Sequence, residues 1–200
     1  MIMTDRNLLP AYAIDMGTPC DSKGHNNFGW ACVSQGRKQS GDDIDQLAIA
    51  LDRDLGSGSV ALGIEAPIVL PLRSEPKTLT KARPGESNRP WSAGAGASVA
   101  VITMPITHYL LSKRGNCRRV VFSRKEATCP GDLFVWEAFV TGPAKGDSDI
   151  VDANKALSGY LDHTATLLPD QGSIINTIAA VALRLNLESD LAAPVEIWKV

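Results

Sequence analysis

The sequence predicts an α/β fold, a mixed sheet flanked by helices, and three observations carry that expectation. A continuous apolar run at 59–65 (Ser-Val-Ala-Leu-Gly-Ile-Glu) has the pattern of a central strand covered on both faces. Ahead of it, strand-like segments meet at a short Gln35-Gly36 turn. Helical periodicities at 42–55 and 148–163 then separate the strands. At 200 residues the chain is sized for a single domain, 1–200.

Residues 11–16 read as a short buried strand that stops at Asp15-Met16-Gly17-Thr18-Pro19, where Gly and Pro force a turn. A second strand at 28–34 turns into a third near 37–40. In 42–55, Ile44, Leu47, Ala48, Leu51 and Leu55 recur at helical spacing; Ser40 or Asp42 can cap this helix and Gly56 can end it. Residues 67–90 form a loop with five prolines, longer than connections usually are, which points to a functional or mobile segment. Residues 90–112 lack Asp, Glu, Lys and Arg but are rich in Ala, Gly, Thr and Ser. That is too weakly apolar for a membrane span, so a helix buried against the sheet is expected. Runs at 119–123 and 133–140 are strand-like, and Gly142-Pro143-Ala144-Lys145-Gly146 breaks the chain. Helices at 148–163 and 173–187 and a strand candidate at 195–200 complete it.

Charge is unevenly spread. The net charge of −2 excludes a polycation built to coat nucleic acid, yet Pro71 to Glu126 holds eleven Lys or Arg against three Glu. That stretch carries +8 and the remainder −10. Cys20, Cys32, Cys117 and Cys129 show no metal-binding spacing, and the start has no basic-then-apolar leader. Reduced thiols and a cytoplasmic location, with no membrane association, are the expectation; self-association is left open.

Sites of open α/β sheets gather at the carboxyl ends of strands. Asp15 ends the first strand and Glu65 the central one, while Asp149 and Asp152 share one face in the first turn of the following helix. Carboxylates brought together in a low-dielectric spot repel unless a cation neutralises them. Mg²⁺ and Mn²⁺ suit oxygen ligands, and two such ions about 4 Å apart promote phosphodiester cleavage without a nucleophilic side chain. The same acids have structural uses. Asp15 before Gly-Thr can satisfy turn donors, Glu65 before Ala-Pro can be a surface acid, and Asp149 and Asp152 suit a helix N-terminus.

The segments Ala13-Ile14-Asp15-Met16-Gly17, Gly63-Ile64-Glu65-Ala66-Pro67, Trp136-Glu137-Ala138-Phe139 and Asp149-Ile150-Val151-Asp152-Ala153 resemble the ribonuclease-H-like superfamily. They are similar to RuvC-type Holliday-junction resolvases and closer still to an uncharacterised family of predicted RNase-H-like nucleases. The resemblance implies a three-layer fold around a five-stranded mixed sheet, and a metal-dependent nuclease (a hydrolase) using Mg²⁺ or Mn²⁺. Asp15, Glu65, Asp149 and Asp152 match its metal-ligand and catalytic positions, and Glu137 matches an additional acid on the last strand. On that reading Arg73, Lys77, Lys81, Arg83 and Arg89 lie beside the metal rim to contact phosphates, with Trp91 near for stacking. A solvated loop is the plainer use of the same charges. Asp15-Met16-Gly17-Thr18 also resembles the first phosphate motif of actin- and Hsp70-like ATPases, whose two lobes exceed this length. A non-catalytic nucleic-acid or protein-binding module of the same fold is the other alternative.

Overall fold

The structure, a computed structural model, describes residues 9–17, 24, 26–84, 86, 91–113, 115–140, 145–162, 166–167 and 173–199. Arg89 and Cys20 lie outside the described residues. The chain runs β1 (Ala11–Asp15), β2 (Gly29–Ser34), β3 (Arg37–Gly41), α1 (Ile44–Ser57), β4 (Val60–Glu65), β5 (Val69–Pro71) and α2 (Gly94–Ser112). It continues through β6 (Arg119–Val121), β7 (Asp132–Phe139), α3 (Asp149–Leu161), β8 (Thr166–Leu167), β9 (Ile174–Asn176), α4 (Thr177–Arg184) and β10 (Ile197–Lys199).

The main sheet has the order β3-β2-β1-β4-β7-β10-β8, with β6 also paired to β7. It therefore exceeds the five strands expected. The reason lies in the length of β7. Its eight residues leave an outer edge long enough to be shared: β6 pairs parallel with residues 132–134 and β10 with 137–139. The two strand-like runs at 119–123 and 133–140 are thus adjacent parallel strands, not competitors for one place. β1 pairs antiparallel with β2 and parallel with β4, so the sheet is mixed.

Side chains alternate across a strand, and here both faces are apolar. Tyr12, Ile14, Leu62, Ile64, Leu133 and Val135 join Leu47, Leu51 and Leu55 of α1, Ile106 and Leu110 of α2, and Ile178 of α4 in one core. On the other face, Ala11, Ala13, Ala31 and Ala61 are small enough to let α3 lie close, packing Ala153, Ala156, Leu157 and Tyr160 on the sheet. The Tyr160 ring stacks on Trp136 at 4.8 Å between centroids. Helices, sheet and helix make three layers.

Element boundaries differ from the sequence expectation where side chains cap the backbone. Asp43, not Ser40 or Asp42, caps α1, accepting from the amides of Asp45 and Gln46; the helix runs past Gly56 to Ser57, with Gly58 as its C-cap. The helix expected at 173–187 starts only at Thr177. Asn176 caps it, and Ile174 and Ile175 pair with β5 instead. α2 is long and apolar enough to cross a membrane, but it seats Ile106, Leu110 and Leu111 in the core and leaves Val101 and Met104 exposed. Cys32 and Cys117 are buried and Cys129 is exposed.

Candidate metal centre

Parallel pairing fixes the first two carboxylates. Asp15 and Glu65 are the last residues of β1 and β4 and are direct register partners. Both side chains therefore leave the same face of the sheet, the one that Ala11, Ala13 and Ala61 present to α3. Asp152, in the first turn of α3, completes the group, and oxygens of the three residues all lie within 4.8 Å of one another. Asp15 is 5% exposed and Asp152 3%, so neither is a surface acid.

Gly29 makes that convergence possible. It pairs with Asp15 on the α3 face, and a Cβ there would lie 2.2 Å from the carbonyl carbon of Asp149. Gly29→Ala is expected to push the start of α3 outward, destabilising the fold by about 1–3 kcal/mol as overpacking does. Urea unfolding with and without Mn²⁺ measures this, and the Mn²⁺-linked stabilisation should shrink as Asp152 is carried away from the strand ends.

Asp149, expected as a fourth ligand, stands outside the converging set. It is half-buried and acts on Asp15 through its charge. Glu137 is separated by alternation: Phe134, Trp136 and Ala138 face α3, so Glu137 faces the opposite side. There it is 1% exposed and accepts two bonds from the Arg83 guanidinium, at 2.9 and 2.5 Å, and one from the amide of Ile68.

The same observation corrects the expected role of Arg83. It is 5% exposed, with its donors committed to Glu137, Glu86 and the carbonyl of Val69, which leaves it unable to meet a substrate phosphate. Arg73 is likewise turned inward, donating to the carbonyls of Thr78, Lys81 and Ala82. Both organise the 67–90 segment, which also contains β5 and a 3-10 turn at Pro76–Thr78. Lys77 is exposed, and Trp91 is half-buried with its indole N–H on the carbonyl of Lys81.

Lys145 was not singled out by the sequence. Its Nζ lies 3.0 Å from Glu65 Oε1, 3.4 Å from Asp152 Oδ2 and 3.6 Å from Asp15 Oδ2. The neighbouring Gly146 amide donates to Asp152 Oδ1 at 2.5 Å. The only hint in the sequence is a lone cation within a Gly/Pro-rich break just ahead of two acids.

One ammonium does not satisfy three carboxylates. Asp15 Oδ2 and Glu65 Oε2 are buried with no hydrogen-bond partner, a costly state that a bound cation relieves. The donor set is all oxygen, as hard divalent ions require. Asp15, Glu65 and Asp152 can hold a metal ion. Beside them opens a cleft of about 110 Å³, walled by Ala66, Pro67, Val99, Phe139 and Val140.

Compared with known proteins, the chain matches no family model, no curated protein and no solved structure.

The site is strained electrostatically. Burial pushes the Glu65 carboxyl up to about 8, with the charge of Asp15 adding to it and Lys145 opposing. Burial also raises Asp15 to about 6, against the pull of Lys145 and with Asp149 adding. Burial alone would depress the Lys145 ammonium, but Glu65 and Asp15 outweigh it and raise its pKa. Carboxyls raised on folding bind more protons in the native than in the unfolded state. Their contribution is complete below the unfolded carboxyl values and is lost as pH climbs through about 6 and about 8. Metal-free stability should therefore fall across that window, while Mn²⁺ affinity rises because the ligands must be deprotonated. Melting curves from pH 5 to 9 in EDTA and in Mn²⁺ check both; a metal-free optimum at the alkaline end would contradict this account.

Proposed function

We propose that the protein is a Mg²⁺- or Mn²⁺-dependent nuclease of ribonuclease-H-like fold, hydrolysing phosphodiester bonds. The observation that carries this reading is the convergence of Asp15, Glu65 and Asp152 with two buried carboxylate oxygens left without hydrogen-bond partners. The contiguous strands β3-β2-β1-β4-β7 support the resemblance, being a five-stranded mixed core to which further strands are added. Bound divalent ions in such a site supply Lewis acidity and lower the pKa of a water. The chain's own part is to hold the ion through Asp15, Glu65 and Asp152, to add the negative charge of Asp149 nearby, and to offer a cleft beside the reacting bond. Among the described residues of the 67–90 segment, Lys77 and Lys81 are the exposed cations with side chains available for phosphates, and Trp91 borders them.

A panel of single-stranded, duplex and branched DNA and RNA tests the proposal. Cleavage is expected with Mg²⁺ or Mn²⁺, and it should vanish in EDTA and in Asp15→Asn. Metal binding without cleavage of any member would remove the nuclease reading. A second reading has one observation in its favour: Lys145 already offsets part of the carboxylate charge, which suits a binding module that needs no metal. In either case Lys77 and Lys81 are the described loop residues placed to contribute to duplex DNA binding. Neutralising both should flatten the slope of log affinity against log salt by up to about 1.8. Filter binding between low and moderate salt measures this, and an unchanged slope would assign the contacts elsewhere.

A further inference from the structure

We propose that Lys145 is the built-in second cation of this centre, so that the site takes one divalent ion per chain and not two. The inference rests on the metal-dependent reading above and deepens it. Charge and geometry both point this way. The three converging carboxylates carry −3 when ionised, and the Lys145 ammonium, within 3.0–3.6 Å of all three, brings this to −2. One divalent ion completes neutrality with the lysine retained. A second would leave an uncompensated excess of positive charge where Lys145 stands, held off only by the half-buried Asp149.

The lysine is held in place by the backbone around it. Gly146 donates its amide to Asp152 Oδ1, and a Cβ at Gly146 would lie 2.4 Å from Val151 Cγ1, so a larger residue there would have to displace the Val151 side chain. That contact ties the residue after Lys145 to one of the three ligands. Glu65 Oε2 has no hydrogen-bond partner, and Asp15 Oδ2 has only the 3.6 Å ion pair to Lys145, so the lysine leaves both oxygens free to coordinate a divalent ion. Lys145 is thus a charge-positioning residue. It contacts the ligand carboxylates and substitutes for an ion by occupying its place.

Isothermal titration with Mn²⁺, supported by Mn²⁺ electron paramagnetic resonance, reads the stoichiometry directly. Wild-type protein is expected to bind one Mn²⁺ per chain. Lys145→Met should bind two, with dipolar broadening of the spin signal from the close pair, while Lys145→Arg should stay at one. Two ions in the wild type, or one ion in both wild type and Lys145→Met, would overturn the role of Lys145 while leaving the metal-dependent reading intact. No Mn²⁺ in any of the three proteins would overturn both. Binding by Lys145→Met alone would show that the lysine excludes the metal, which also contradicts the proposal. Should Lys145→Met fail to fold without metal, Lys145→Gln, which also removes the charge, is read in its place: two ions are expected, and one would overturn the role of Lys145.

Discussion

Asp15→Asn is expected to abolish most Mn²⁺ binding while leaving the metal-free protein at least as stable as the wild type. Asp15 is buried beside Glu65 and Asp152, and like charges held together destabilise the fold until a cation arrives. Asn keeps the shape and removes one of those charges. Losing one ligand of three should weaken the metal by at least about 100-fold, since changes to residues that merely support a ligand already cost about 10–100-fold. The thermal shift on adding Mn²⁺, about 2.7 kcal/mol of stabilisation at a hundredfold excess over Kd, should then disappear. A destabilisation of about 1–3 kcal/mol in EDTA would instead mark Asp15 as a structural hydrogen-bonding acid.

Arg83→Met should be the most damaging substitution outside the metal centre. It leaves Glu137 and Glu86, 1% and 5% exposed, buried without their cation. Removing one partner of such an arrangement costs about 3–5 kcal/mol. The double variant Arg83→Met with Glu137→Gln should recover much of that loss, because the stranded charge goes with its partner. Mn²⁺ affinity should change little in the double variant, since Glu137 faces away from the ligand carboxylates. Urea unfolding of the single and double variants measures the coupling. A loss below about 1 kcal/mol for Arg83→Met would mean that this ion cluster does not anchor the 67–90 segment.

The legible part of this molecule is the part written in long periodic runs. The apolar stretch ending at Glu65 and the short strand ending at Asp15 could be read as strand ends, and strand ends are where the carboxylates meet. Asp152 was legible as one of an i, i+3 pair, but choosing it over Asp149 needs the depth of α3 on the sheet, which Gly29 sets from another strand. Glu137 could not be assigned to a face because β7 is apolar on both sides, so its sequence shows no alternation. Arg83 read as a phosphate contact because Glu137 is 54 residues away, and its near partner Glu86 reads in sequence as one more charge of a solvated loop. β6 and β10 fall inside the strand-like runs at 119–123 and 195–200, whereas β8, two residues long, is too short for a periodic signal. Lys145 lies in a break that pattern reading treats as punctuation, yet it touches all three site carboxylates.

The central claim, that Asp15, Glu65 and Asp152 form a divalent-cation site, is tested most directly by anomalous scattering from a crystal soaked in Mn²⁺. The account predicts an anomalous peak within about 2.0–2.6 Å of carboxylate oxygens from these three residues, the range of metal–oxygen bonds to hard divalent ions. A crystal saturated with Mn²⁺ that shows no peak there, with Lys145 still bound to the three carboxylates, would contradict it.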